Sequence, residues 1–147
     1  MKLRNKKLNN KGFSLVELIV VVLIIAIIAV ALAPQVMKWV SKSKDSVDSN
    51  NIASIKSSVN TAIAAVGELP SAELTFYVTK DGISGTEADL ATYKDELAEI
   101  FNGDYSQPSK GGAFKVTVST TGSVTVVVDN NGPSGSVVIK ANSSESK

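Results

Sequence analysis

The chain carries one long, uninterrupted apolar run near its amino terminus. No side chain between Leu18 and Ala33 is polar, and counted from Phe13 the run is 21 residues long. An α-helix of that length spans roughly 31 Å at about 1.5 Å per residue, which matches a hydrocarbon core about 30 Å thick. Lipid offers no partner to open backbone groups, so a helix is the single-segment solution. The pattern predicts a transmembrane helix within residues 13–36.

Helical periodicity continues after this run. Apolar residues recur from Val36 to Val66 at mostly three- and four-residue spacing, with charged residues largely between them. This spacing indicates an amphipathic helix over 37–67 that needs a partner surface. Proline removes a backbone donor and crowds the preceding turn, so we expect a kink at Pro34. We expect the helix to stop at Gly67.

The pattern is weaker over residues 68–112, which we interpret as a connecting region. The segment 72–80 is either a short strand or an irregular loop, and DGISG at 81–85 is predicted to be a turn. Thr86 begins a Thr-x-x-Asp sequence that resembles a capping box. The apolar stripe that follows predicts one short helix ending near Asn102.

After Gly112 the apolar period changes to two. Alternation over 114–118 and 124–128, with turn residues between, predicts two strands, and 137–139 predicts a third. We expect an antiparallel meander within 113–147 and a polar tail at its end.

The expected fold class is α+β. A long amino-terminal helix, half transmembrane and half amphipathic, should pack on a small antiparallel sheet. The inward-facing strand residues are predicted to contact Val59, Ile63 and Val66 of that helix.

Composition removes most kinds of catalytic or metal site. There is no Cys and no His, so disulfides, thiol chemistry and the commonest general base and metal ligand are absent. Ser-x-x-Lys at 41–44 has no supporting motif beside it. DNNG at the start of 129–135 has Lys140 where a calcium loop needs Glu, so a turn is the better interpretation, with calcium binding left open. We expect no enzyme activity, no cofactor and no metal.

Charge is distributed unevenly. Residues 1–12 hold five of the 15 basic side chains and none of the 14 acids. A basic segment before an apolar span predicts a cytoplasmic amino terminus under the positive-inside rule. The remainder is mildly acidic, so no specific nucleic-acid partner is predicted.

Two ordinary interpretations compete for the apolar segment. A secretory signal peptide would use Ala31-Leu32-Ala33 as its cleavage site, but the run is too long, contains Glu17 and has Pro34 just after the site. A plain membrane anchor leaves Glu17 unexplained, although an acid inside a span is costly and by default functional.

The position of Glu17 favours a third interpretation. It lies one helical turn after Phe13, where headgroups can tolerate its charge in a precursor. In a bundle of helices the carboxylate needs a cationic partner. Cleavage after the small residue Gly12 would create one, the amino group of Phe13.

The sequence KGFSLVE at 11–17, followed by the apolar run and Pro34, resembles the class III signal of type IV pilins and pseudopilins. The resemblance implies a pilin fold. It also implies that Gly12 and Phe13 flank the prepilin peptidase cut, that Phe13 becomes N-methylated, that Glu17 guides subunit registration, and that Pro34 kinks the helix.

The resemblance further implies a structural subunit that polymerises into a type IV pilus filament. Its partners would be copies of itself, prepilin peptidase, the membrane platform of the assembly machinery, and membrane lipid in the precursor. The precursor would sit in the inner membrane with its leader in the cytoplasm, and the mature form in a surface filament. A pseudopilin of a secretion or competence machine is the alternative, and a membrane-anchored or secreted binding domain is a second. Many members of the family fasten the carboxyl terminus with a disulfide, so here something else must hold 129–147.

Overall fold

The computed structural model describes residues 13–103, 105–133 and 136–140. The basic leader with Gly12, and the polar tail after Lys140, lie outside the described residues. The elements in chain order are α1 (Leu15–Val66), β1 (Leu74–Thr79), β2 (Gly82–Gly85), α2 (Glu87–Leu90), α3 (Lys94–Phe101), β3 (Ala113–Val118), β4 (Val124–Asp129) and β5 (Ser136–Lys140). The chain divides into two compact units, one ending at Ser41 and the other beginning at Lys42.

The first unit contains the apolar part of α1. Helix continues on both sides of Pro34, so the proline does not end it. The kink at this residue stays a prediction. Among the described residues, α1 is the one helix long and apolar enough to cross a membrane.

The second unit begins with the rest of α1, which lies on an antiparallel sheet. Its buried residues, Asp48, Ile55, Val59 and Ala62, form one face. Ile63 and Val66 pack partly buried against the same core, as the periodicity predicted. Gly67 ends the helix with φ of +76° and donates its N–H to the carbonyl of Ile63. Glycine is the usual residue for this left-handed position.

The described strands form one five-stranded sheet in the order β4-β3-β1-β2-β5, and every neighbouring pair is antiparallel. The predicted strand phase is confirmed for β3 and β4. Side chains at every second position are buried, from Phe114 to Val118 and from Val124 to Val126.

The predicted meander is wrong for its third strand. β5 does not lie beside β4 but pairs with β2 at the opposite edge. The segment 81–85, predicted to be a turn, is itself mostly strand, since Gly82–Gly85 lies buried between β1 and β5. Packing around Gly85 is tight, because an added Cβ would lie 2.9 Å from a terminal methyl group of Leu90 and 3.2 Å from Phe76 Cβ, so a neighbour would have to shift.

The single helix predicted after Thr86 is also wrong, because it is divided into α2 and α3 by a turn at 91–93. The Tyr93 side chain is buried, and its hydroxyl donates to the carbonyl of Glu68 at 2.9 Å. The side chain of Thr86 makes no capping hydrogen bond, so the box predicted there does not form. The predicted end is confirmed, as Asn102 adopts a left-handed conformation with φ of 42°.

The core of this unit lies between the sheet, the second half of α1 and the short helices. Its largest fully buried side chains are Phe76, Phe114, Ile55, Ile83, Leu90 and Leu97. The carboxyl-terminal strand joins this core through the buried Ile139 and through the hydrogen-bonded ladder to β2. In the described part of the chain, this ladder and this side chain hold the segment that a disulfide fastens in many pilins.

Candidate assembly and processing site

The first turn of α1 is closed by a pair of hydrogen bonds between two side chains and two backbone groups. Ser14 donates its backbone N–H to Glu17 Oε2 at 2.8 Å, and Glu17 donates its backbone N–H to Ser14 Oγ at 3.2 Å. This reciprocal arrangement is a capping box, which satisfies two of the amide groups that a helix start leaves open. The carboxylate also lies at the positive end of the helix dipole.

The capping box gives Glu17 a local role that sequence reasoning missed. The Ser-x-x-Glu spacing that predicts it is present at 14–17, but the box was expected only at Thr86, where it does not form. In the described structure the carboxylate of Glu17 is therefore held at the amino-terminal end of α1 by Ser14, the residue that follows the exposed Phe13.

The apolar segment of α1 exposes its side chains in every direction. The large apolar residues from Leu15 to Val40 are each 47–77% exposed. A surface helix of a globular protein has one apolar stripe, whereas a helix apolar all round is covered by lipid or by other helices. So large an apolar surface marks a membrane or protein interaction site.

A second polar cluster lies on the other unit and fastens the loop between α3 and β3 to α1. Ser109 donates its N–H to Asp48 Oδ1 at 2.7 Å, and Lys110 Nζ donates to Asp45 Oδ1 at the same distance. The hydrogen bond that Lys110 donates to Asp45 raises the pKa of the exposed Lys110 above its ordinary value. Asp48 is one of the charged residues between the apolar positions of the amphipathic helix, yet it is 8% exposed and accepts a hydrogen bond from this loop.

The segment that begins at Asp129, at the end of β4, forms the turn that the sequence predicted at its start. Asp129 Oδ1 accepts the N–H of Asn131 at 2.9 Å, which closes the loop locally. Among the described residues, no group of three or more acidic side chains is placed to hold a metal ion.

The sites expected from the sequence are therefore placed as follows. Ser14 and Glu17 are hydrogen-bonded to each other at the start of α1, the exposed Phe13 directly precedes Ser14 in the chain, and Pro34 lies within the same helix. The described residues do not include Gly12, so cleavage after this residue stays a prediction from the sequence.

Residues 7–33 match the family model described as the prokaryotic N-terminal methylation motif. The match includes Gly12, Phe13, Ser14 and Glu17, and it ends one residue before Pro34. No curated protein and no solved structure matches the chain. The chain therefore carries, over residues 7–33, the N-terminal methylation motif that constitutes the class III signal of type IV pilin-like and pseudopilin precursors.

Proposed function

We propose that this chain is the precursor of a structural pilin subunit. It is anchored in the inner membrane by the apolar part of α1, cleaved after Gly12, and polymerised into a type IV filament. The observation that carries the proposal is a helix apolar on all sides, 47–77% exposed at each large apolar residue, whose first turn holds the carboxylate of the methylation motif.

Processing provides the charge that Glu17 needs. In the precursor, the nitrogen of Phe13 is a neutral amide. Prepilin peptidase, by cutting after Gly12, converts it into an amine that then becomes N-methylated and stays cationic. Support for a pair with Glu17 comes from the capping box, which holds Oε2 2.8 Å from the nitrogen of the very next residue, Ser14.

The pair supplies registration between helices that otherwise slide. In a bundle of apolar helices every axial position buries similar surface, so one buried polar pair decides the register. An unpaired carboxylate in such a bundle costs several kcal/mol, whereas a paired and hydrogen-bonded one is tolerated. A subunit packed out of register would leave this carboxylate unpaired and would therefore be less stable in the bundle.

The apolar side chains gain little from leaving lipid, because lipid tails are equally apolar. The free energy of assembly must come from close packing and from satisfying polar groups, with work supplied by the membrane platform of the assembly machinery. The partners proposed are accordingly other copies of the chain, that platform, the peptidase and, before assembly, lipid.

The direct test is to sequence the amino terminus of the mature protein and to image cells by electron microscopy. Methylated Phe13 together with surface fibres that disappear on deletion of the gene supports the proposal. A mature terminus at Pro34 indicates a secreted domain, and an intact Met1 indicates a plain membrane anchor. Either result contradicts the proposal.

A pseudopilin of a type II secretion or competence machine is the alternative, since pseudopilins carry the same motif. A methylated Phe13 with a secretion or DNA-uptake defect and no long fibres would assign the chain to that function instead.

A further inference from the structure

The second compact unit, here called the head, contains two asparagines that are each followed by glycine, in Asn102-Gly103 and Asn131-Gly132. Both asparagines are exposed. The first directly follows α3, and the second lies in the turn after β4. Neither takes part in the proposed processing or assembly, but this combination of residue types has a reactivity of its own.

An asparagine before glycine can lose its side-chain amide without an enzyme. The glycine nitrogen attacks Cγ of the asparagine and forms an N–Cγ bond, which closes a five-membered succinimide ring. The Cγ–Nδ2 bond breaks, and Nδ2 leaves as ammonia with the proton that the glycine nitrogen gives up. Water then opens the ring at either carbonyl carbon and leaves aspartate or isoaspartate. Glycine favours the attack because it has no Cβ to hinder the ring and is conformationally permissive.

The site at Asn102 is held away from the geometry that this reaction needs. The ring closes only when Cβ of the asparagine and the glycine nitrogen are nearly eclipsed about the Cα–C bond. At Asn102, ψ of 36° places these two atoms on nearly opposite sides of that bond. Its N–H donates to the carbonyl of Ala98 at 2.9 Å, and the flanking Phe101 and Tyr105 stack their rings with centroids 5.5 Å apart. A rotation that allowed attack would therefore disrupt a packed helix end.

The site at Asn131 has far less to hold it in place. Asp129 Oδ1 accepts its N–H at 2.9 Å, but rotation about its own Cα–C bond moves only the chain after it and leaves that hydrogen bond intact. Gly132 has φ of +83°, and no described atom lies within 4 Å of the point where a Cβ would be. The neighbours Asn130 and Pro133 are exposed as well. The movement that brings the glycine nitrogen to Cγ therefore takes place in solvent.

We propose that Asn131 is a site of spontaneous deamidation and that the fold protects Asn102 from the same reaction. Each conversion places a carboxylate two residues after Asp129, beside the exposed end of β4. The head therefore becomes more acidic with the time since synthesis, by a reaction that consumes only water and does not depend on filament assembly.

The test compares the two sites in one molecule. The full chain, extracted from membranes in detergent, is incubated at mildly alkaline pH, where more of the attacking nitrogen is deprotonated. Trypsin then separates the sites, because residues 95–110 contain Asn102 as their only asparagine and residues 116–140 contain Asn130 and Asn131. Mass spectrometry of the fragments measures the conversion of each residue with time. A second sample incubated in urea removes the fold and keeps both dipeptides.

In the folded chain we expect Asn131 to convert several-fold faster than Asn102, and in urea we expect the two rates to draw close together. Equal rates, or a faster Asn102, in the folded chain overturn the proposal. An unconverted Asn131 overturns it too, as does a ratio that urea leaves unchanged, since the sequence and not the fold would then set the rates.

Amide variants identify the source of the new charge. Asn131→Gln keeps an exposed amide, but glutamine must close a six-membered ring and reacts far more slowly. This variant should therefore lose the more acidic form that isoelectric focusing detects in aged protein, and Asn102→Gln, the matched control, should keep it. Asn131→Asp should migrate with the aged form from the start. Persistence of the acidic form in Asn131→Gln, or its loss in Asn102→Gln, contradicts the proposal.

Discussion

Ser14 and Glu17 are joined twice, each donating its backbone N–H to the side chain of the other. This relationship means that replacing Glu17 removes two things at once, a helix cap and a negative charge. The experiments on this residue have to separate them.

Glu17→Ala should insert into the membrane and be cleaved, but form no fibres, because it loses both cap and charge. Glu17→Gln keeps a side-chain oxygen for the N–H of Ser14, since glutamine also suits a capping box, yet it lacks the charge. We therefore expect Glu17→Gln to fail in assembly as well, measured by fibre yield under the electron microscope.

Ser14→Ala is the matched control for the cap. It removes the acceptor for the N–H of Glu17 and should cost the helix start about 0.5–2 kcal/mol, while the charge remains. Fibres should still form. If Ser14→Ala abolishes fibres while Glu17→Gln assembles normally, then capping and not charge is what assembly requires.

Gly12→Val should accumulate as an uncleaved membrane precursor, because the branched side chain fills the small-residue position at the cut. The longer chain is detected on a gel and by an amino terminus at Met1. Gly12→Ala, a smaller change, should be cleaved more completely than Gly12→Val. Normal shortening of Gly12→Val would place the cut elsewhere.

The alternation of buried and exposed side chains along β4 predicts a large loss of stability at one residue and a small loss at the next. Val126 is 8% exposed and packs in the core, so Val126→Asp buries an unpaired charge and should destabilise the head by about 2–4 kcal/mol. Val127 is exposed, and Val127→Asp should cost only about 0.5 kcal/mol or less. Thermal melting of a fragment beginning at Lys42 measures both, and equal shifts would contradict the phase.

The loop before β3 depends on the buried carboxylate of Asp48. Asp48→Ala leaves the N–H of Ser109 without its acceptor and should cost about 1–3 kcal/mol in urea unfolding of the same fragment. Asp48→Asn retains an oxygen and should lose less. Asp45→Ala removes only an exposed ion pair with Lys110, so its smaller effect should shrink further in high salt.

Alkaline pH should weaken the head through its tyrosines. Burial, with a smaller contribution from the charge of Glu68, raises the pKa of Tyr93 in the folded state, and burial also raises the pKa of Tyr105. Because the folded pKa is the higher one, the stabilisation is complete below the ordinary tyrosine pKa of about 10 and is lost as the pH rises through the folded value.

Tyr93→Phe provides the comparison. It loses the hydrogen bond to Glu68 at neutral pH, about 0.5–1.5 kcal/mol, but its unfolding free energy should fall less steeply above pH 10. Urea unfolding of the fragment between pH 7 and pH 11 gives both slopes. Identical slopes for the two proteins would rule out a contribution from Tyr93.

Much of this protein could be predicted from local periodicity. The apolar run predicts a helix, which α1 provides. The amphipathic half of α1 and the alternating residues of β3 and β4 each indicate which side of an element is buried, and the structure confirms those sides. The methylation motif is likewise a contiguous string of residues, so it is readable without a fold. Local patterns of this kind depend on neighbours in sequence, which is why they are reliable.

Partners distant in sequence were decided only by the tertiary structure. Nothing in the sequence of β5 indicates that it pairs with β2 and not with β4, the strand that precedes it in the chain. The glycines of β2 are typical of a turn, and only the structure shows Leu90 and Phe76 packed against Gly85. Asp48 looks solvated until Ser109, 61 residues away, donates to it. Periodicity reports that a side is buried, but which surface covers it is set by competition among all available surfaces in the folded chain.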